Sequence, residues 1–589
     1  MGVGDGTAHC GDYKSFKDPI YGYIHVPRQF VSAIIDTPAF QRLRRIVQTS
    51  YCPLYPSATH NRFVHSLGVF FLGDFAARIL EEYSNNTVSL ERFGTVSGRK
   101  RFLNLFRIAC LLHDIGHAPF SHTGEHFYKD SNGSTIPLHE KIATLIGDKE
   151  FVTEGKRRLT KAAAPHELMS VIVAIKTYGG SLLKKRVDRE FVARAICGYT
   201  YINQGPRRLK VSGVDVTFLN CLISLLNSSI VDVDRLDYLI RDSRTIGFNS
   251  TTIDYRRLLE GVRICVEGED CKLAYTKNSL SVLENVVYAH DAERKWVQNH
   301  PSILYEMKLL KEVMSDVNTQ FKTRKNPSLF CEKALMSTGV TLKHNLKVKY
   351  LCDDDVGFLA KNASSDAAAK YMDRRTRLHA VWKSESEFNA LFGTAMRNVP
   401  GSGYARLKAV FEGLNVLLSD VTPGKINATT LHEFVLDLAQ QKARTRKLRS
   451  NDDKQDSIEQ ERKKGVYVAF LKSVKEFAKK SGIDFDFVIL DANAFSTGFG
   501  KSALPEILIQ LNVCEKPVRF GDIASLFKKG SAKLPSHVYY VFSQVPRVGM
   551  PVLARRLVEM LFKFVEDHKK DIDKGFNIEE NSKGEEKVS

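Results

Sequence analysis

Acidic residues are in deficit in this 589-residue chain: 67 Asp and Glu face 86 Lys and Arg, a formal net charge of +19 with a pI near 9.3. That imbalance favours polyanionic partners: nucleotides, nucleic acid or an acidic surface. Paired cysteines are missing too. The ten cysteines include no CxxC and one loose C-x5-C, which argues against a zinc knuckle or a disulfide framework and for reduced thiols. Any metal chemistry must then rest on nitrogen and oxygen. No uninterrupted apolar run of about 18 residues is seen, and MGVGDGTAHCGDYKSF has no signal-peptide core, so membrane insertion and export are not expected and the chain is read as cytoplasmic. A phosphate-binding loop is also absent. GFGKS at 498–502 ends like one, but the pattern requires Gly where Phe495 stands, and a strand-to-helix turn is read there instead.

What is present is an ordinary globular composition, 43% hydrophobic and 26% charged, at a length suited to about two to four domains. From Phe40 to about Gln320 the apolar spacing is mostly helical. HSLGVFFLGDFAARIL places His65, Val69, Leu72, Ala76 and Ile79 on one stripe, and FRIACLLHD does the same with Phe106, Cys110 and His113. Both stripes are core faces that carry a histidine. In NCLISLLNSSIVDVDRLDYLIRDS, Asp234, Tyr238 and Asp242 recur every four residues and share a helix face. Beyond Asn326 the periodicity weakens. The mixed-charge stretch Gln441–Gly465 reads as an exposed helix or connector, DFDFVILDANAF, KPVRFGDIASLF and HVYYVFSQV read as strands of a small α+β lobe over 466–570, and residues 571–589 are too polar to bury.

LLHDIGHAPFSH, residues 111–122, puts three histidines and an aspartate at the end of an apolar run. Burying such groups costs several kcal/mol unless they are paired or hold a cation. His65, the His113-Asp114 pair and Asp234 together make a mixed imidazole and carboxylate donor set suited to Zn, Mn, Fe or Ni. An HD dipeptide or a core histidine alone carries little. The combination of HNRFVHSLG, HDIGHAPFSH and DVDRLDYLIRDS in that order carries much more.

On these words, the chain over roughly residues 13–310 resembles the HD-domain phosphohydrolases, and among them the dNTP triphosphohydrolases typified by the SAM and HD domain-containing enzyme, with no separate SAM domain expected here. The resemblance implies a mainly α fold: an HD-domain helical core in 1–330 with an N-terminal regulatory segment, a helical region and connector over 331–465, the α+β lobe, and a disordered tail. It implies His65, His113, Asp114 and Asp234 as metal ligands; Asp232, two residues from Asp234 and on a different helix face, is read as structural. His117 takes the place of a catalytic histidine near the scissile phosphate, and Glu125 stands where the family has an Asp that orients it. The next active-site histidine sits in an HE pair, for which His139 and His166 are candidates; His166 fits better because ELMSVIVAI follows it.

The same resemblance implies that Arg62 and Arg235 contact the triphosphate, as charge-assisted forks can. Tyr238 would pack on the deoxyribose, and Gln48 and Asp242 would bind its 3′-OH. The family's γ-phosphate arginine is missing: the register places His290 there, with Arg294 or Lys295 one turn on. Lys14, Asp36, Gln41 and Arg44 match an activator site for GTP or a dNTP, which implies a nucleotide-gated homotetramer; a surface ion-pair network is the other reading of these four. The implied reaction is dNTP plus water to deoxynucleoside plus triphosphate, with Mg accompanying the substrate, His117 as an acid able to carry a proton near pH 7, and Glu125 holding its tautomer. Housekeeping of the dNTP pool and dNTP depletion in antiviral or antiphage defence are both compatible with it. Two rivals stand beside it: an HD phosphodiesterase or nuclease acting on single-stranded nucleic acid or a signalling nucleotide, and a nucleotide-binding scaffold with a degenerate site.

Overall fold

The computed structural model describes residues 12–86, 88–130, 133–148, 151–153, 163–202, 210–228, 231–248, 252–268, 270–384, 387, 406–407, 409–411, 414, 452–481, 488–493, 507–510, 517–519, 537–543 and 550–576. Phe495 and the GFGKS stretch lie outside them, as does residues 441–451 of the charged connector. Helices predominate, and the chain forms two compact units. One comprises residues 1–298, 316–363 and 496–533; the other comprises 299–315, 364–495 and 534–589.

The first unit opens with a hairpin, β1 (Tyr13–Asp18) and β2 (Gly22–Pro27), paired from Tyr13↔Pro27 to Asp18↔Gly22. Its centre is α1 (Arg62–Asn86), packed along α2 (Val96–Leu112) and α7 (Val233–Ile246). Between these in sequence come α3 (Ile136–Ile146), α4 (Pro165–Tyr178), α5 (Arg186–Cys197) and α6 (Val216–Leu226). The expected stripe on α1 is buried at His65, Val69, Leu72 and Ala76. Residues 62–83 of α1 are long and on average apolar enough to cross a bilayer, although Asp74 and Arg78 interrupt the apolar run. Within the structure 67% of that window is buried, the position of a core helix.

Local chemistry sets the helix ends. Thr95 accepts from the Gly98 N–H to start α2, and Asp232 accepts from the Arg235 N–H at 2.7 Å and the Ser228 N–H at 3.0 Å to start α7. Asp232 is thus a helix cap, a role the sequence reading had given only as structural. At Gly247, φ of +74° closes α7 in the left-handed conformation.

α8 (Leu280–Glu293) follows the hairpin of β3 (Val262–Glu267) and β4 (Asp270–Thr276), and α9 (Asp353–Lys361) lies further along the same unit. The strands of the C-terminal stretch divide between two sheets. β7 (Leu508–Gln510) lies parallel to β4, pairing Leu508 with Ala274, and β8 (Val518–Arg519) lies antiparallel to β7, so both extend the β3–β4 sheet of the first unit. In the second unit, β9 (His537–Ser543) sits between β6 (Val488–Asn493) and β5 (His379–Ala380).

That unit also holds α10 (Asp452–Ser481), α11 (Met550–Asp567) and α12 (Lys569–Phe576). Residues 571–576, which composition placed in a disordered tail, are helical because Ile572 is fully buried, Gly575 passes close to α10, and Asp573 receives a two-point bond from Arg406 at 2.6 and 2.9 Å. The eight described cysteines are all free.

Candidate active site

α1, the end of α2 and the first turn of α7 bring His65, His113 and Asp234 together. The two Nε2 atoms are 3.2 Å apart, and Asp234 Oδ1 lies 3.0 Å from His65 Nε2 and 3.6 Å from His113 Nε2. Each ring is anchored through its other nitrogen: His65 Nδ1 donates to Asp237 Oδ2 at 2.7 Å, and His113 Nδ1 donates to the Cys110 carbonyl at 2.9 Å. With both Nδ1 atoms committed to acceptors behind them, the two Nε2 atoms face one carboxylate oxygen in the core. That arrangement suits a divalent cation. Burial lowers the proton affinity of His65, but hydrogen bonds to Asp234 and Asp237 outweigh it and push the ring up to about 9, so positive charge is favoured at this corner.

Asp114 stands at the rim of the group. Its Oδ2 is 3.5 Å from His65 Nε2 and 3.6 Å from His113 Nε2, and it accepts from Arg62 Nη1 at 2.7 Å. Against the cost of burial, Arg62, His113 and His117 hold the Asp114 carboxyl well below the usual range. Arg62 itself, 3% exposed, donates further to Ser121 Oγ at 2.9 Å and the Gln48 carbonyl at 3.2 Å.

A second cluster follows directly: His117, His122, Glu125 and His166 present ligand atoms within 4.8 Å of one another. His117 and His166 stack, centroids 4.1 Å apart at 14°. Neither nitrogen of His117 is hydrogen-bonded, although Nε2 comes within 3.3 Å of Asp114 Oδ1. Two expectations change here. Glu125 Oε1 accepts from His166 Nδ1 at 2.9 Å and from His122 Nδ1, so it orients those rings and not His117; its arm is a methylene longer than an Asp, and both rings lie within its reach. His117 is not poised near pH 7: burial, then Arg62 and His166, hold it well below the usual imidazole range. The charged ring is His166, where Glu125 overcomes burial and raises it to about 9.

Of the two HE histidines, His166 enters the cluster. His139 is a satisfied core residue on α3, bonded to the Thr135 carbonyl and the Tyr199 hydroxyl, both at 2.9 Å.

Asp234, Tyr238 and Asp242 share a face of α7 as expected. Asp242 accepts from His60 Nε2 at 2.6 Å; Gln48 is buried with Oε1 unpartnered; Arg235 lies 3.8 Å from Asp232. Glu293, which the sequence did not single out, sits beside them, accepting from Gln298 at 3.0 Å and the Tyr51 hydroxyl at 3.4 Å, and burial with Asp242 nearby pushes its carboxyl well above the usual range. His290 faces Asp291 at 3.6 Å. At the outer segment, Lys14 pairs with Asp36 at 3.5 Å, Gln41 donates to the Ile35 carbonyl, and Arg44 donates to Gln41 at 2.9 Å while covering the Phe63 ring.

Sequence reasoning also passed over His122 and Asp237. His122 lay inside the quoted HDIGHAPFSH. Asp237 adjoins Tyr238 but points to the other side, where it meets His65, Arg241 and the Tyr21 hydroxyl. Gly68 makes room for it, since a Cβ there would fall 1.8 Å from Asp237 Oδ1.

Residues 62–195 match the HD domain family. The chain is 28% identical over 289 residues to the deoxynucleoside triphosphate triphosphohydrolase SAMHD1 of Gallus gallus, covering 49% of this chain and 42% of that protein. Against the SAMHD1 of Bos taurus the identity is 32% over 265 residues, 43% and 38% of the two. The chain therefore spans less than half the length of these curated relatives. A hypothetical protein from Aquifex aeolicus shares the fold, with a TM-score of 0.50 at 17% identity over 92% of this chain and all of that one.

Proposed function

From an HD domain with this donor set, we propose that the chain is a metal-dependent phosphohydrolase that converts deoxynucleoside triphosphates to deoxynucleoside and inorganic triphosphate. The observation that carries the reading is the meeting of the His65 and His113 Nε2 atoms with Asp234 Oδ1, each ring locked from behind. His65, His113 and Asp234, with Asp114 at the rim, would hold Mn, Fe, Zn or Ni, while Mg would accompany the triphosphate. A divalent ion there supplies Lewis acidity toward a phosphoryl oxygen and toward water.

The remaining work falls to the chain itself. His166, kept charged by Glu125, and Arg235 meet negative charge spreading over the phosphates. Arg62 fixes Asp114 and Ser121 and borders the same place. His117 is the acid for the departing 5′-oxygen; it is neutral in the free protein, so its proton has to come with the polyanionic substrate, whose charge offsets Arg62 and His166. The unpartnered Gln48 Oε1 and the Asp242 carboxylate suit the 3′-OH, and Tyr238 fills the space a 2′-OH would need. Activation by GTP or a dNTP through Lys14, Asp36, Gln41 and Arg44, with assembly into a tetramer, belongs to the same proposal.

The test is purified protein with Mn or Mg and the four dNTPs, singly and mixed, with products separated by chromatography. Deoxynucleoside and triphosphate are expected, and activity in mixtures alone would expose gating. Shortened single-stranded oligonucleotide with untouched dNTPs would assign the site to phosphodiester cleavage, which the net positive charge also suits.

A further inference from the structure

Three acids open α9 in the stretch LCDDD, and each has a different occupation. Asp355 caps its own helix, accepting from the Cys352 N–H at 2.8 Å, and Asp354 is an exposed partner of Arg45 at 3.0 Å. Asp353 turns away from both. Its Oδ2 accepts from the Val47 N–H at 2.8 Å, and its Oδ1 accepts from the Phe120 N–H at 2.7 Å.

Those two amides belong to the two segments that build the site. Val47 precedes Gln48 and bridges to Asn61, just before Arg62; Phe120 lies in the loop that carries His117, Ser121, His122 and Glu125. Phe120 and Ser121 adopt φ of +56° and +53°, a left-handed conformation that two consecutive non-glycine residues hold only when their surroundings impose it. Ser121 is thereby aimed at the Val47 carbonyl and at Arg62 Nε, and Arg62 in turn grips Asp114. From the other side, buried Arg42 ties the Ile115 and His117 carbonyls, both at 2.9 Å, to the Leu351 carbonyl at 2.8 Å, next to the start of α9.

We propose that Asp353 is a positioning residue for the hydrolytic site, its two carboxylate oxygens clasping the Gln48 segment to the 113–125 loop so that Ser121 and Arg62 hold Asp114 in register. The inference rests on the reading of these residues as a hydrolytic site.

The test compares Asp353→Ala, Asp353→Asn and Asp354→Ala by steady-state dNTP hydrolysis in Mn, metal content and amide hydrogen exchange. A displacement of this loop by about an ångström should lower kcat on the order of 10²-fold in Asp353→Ala, and less in Asp353→Asn, which keeps one acceptor. Asp354→Ala should match wild type. Metal content should stay at the wild-type level, and exchange should quicken at residues 44–50 and 115–125 while α6 stays protected. Wild-type kcat and wild-type exchange in those segments would overturn the proposal, as would faster exchange spread through α6, which would mark Asp353 as an ordinary fold stabiliser. Should Asp353→Ala not fold, Asp353→Asn decides by the same readouts. Should the wild-type protein turn over no dNTP, the substrate reading falls, and exchange alone still decides Asp353.

Discussion

Asp237→Asn tests the metal corner without touching a ligand. Asp237 is fully buried and spends both oxygens: Oδ2 accepts from His65 Nδ1 at 2.7 Å and Arg241 Nε at 2.9 Å, and Oδ1 accepts from the Tyr21 hydroxyl at 2.7 Å and Arg241 Nη2 at 3.0 Å. The amide keeps the shape but loses the charge and one acceptor, so the His65 ring is less firmly held with Nε2 inward. Removing the partner behind a metal-ligating histidine costs about 10–100-fold in metal affinity, or about 1.4–2.7 kcal/mol. Arg241 keeps Asp18 Oδ2 at 2.9 Å, so the fold should survive the change with a lowered melting temperature. Alanine would leave the buried guanidinium half-compensated and cost about 3–5 kcal/mol, which is why the isostere is the better probe. The assay is competitive titration of metal-free protein with Mn or Zn against a chelator, with circular dichroism to certify folding. A folded Asp237→Asn protein that binds the ion as tightly as wild type would refute the argument that Asp237 acts through His65.

Further outcomes follow from the same geometry. Asp234→Ala should lose the HD-site ion, read by metal analysis after dialysis; unchanged content would remove Asp234 from the ligand set. His117→Ala should keep the ion and lower turnover by roughly 10²–10⁴-fold, the contribution of a positioned acid, and wild-type turnover would exclude that role. Glu125 outweighs burial and raises His166 from its ordinary 6.5 to about 9, so the stability this proton contributes is complete below pH 6.5 and is lost as pH rises through about 9; in Glu125→Gln the loss should begin at lower pH, because burial is then opposed only by the lesser pull of Glu167 and Asp114, and melting curves against pH that coincide with wild type would contradict this. Gly68→Ala should destabilise by about 1–3 kcal/mol, since its Cβ would overlap Asp237, and an unchanged melting temperature would show that Asp237 can move aside freely.

Residues whose role is set by their own helix were legible from spacing. His65 and His113 lie on apolar stripes, and Asp234 and Asp242 recur on one face of α7. The three words that hold the ligands are local, and local periodicity is dictated by the geometry of a single helix. His122 was also within sight in HDIGHAPFSH, but it opens a short 3-10 helix, Ser121–Tyr128, that has no long apolar stripe from which its direction can be inferred.

The chain's sequence alone therefore pointed to a mainly helical architecture and a thiol-free set of candidate ligands, because helical periodicity and donor type are properties of composition or of one element. Only the tertiary structure decided the pairings. Asp237 meets His65 across 172 residues, Glu125 chooses His166 and His122 over His117, Asp353 reaches back from α9 to Val47 and Phe120, and β7 adds to β4 from another part of the chain. Burial and Coulomb interactions that set the proton on His166 and keep it off His117 depend on which groups stand within a few ångströms, and that proximity comes from packing helices that are far apart in sequence.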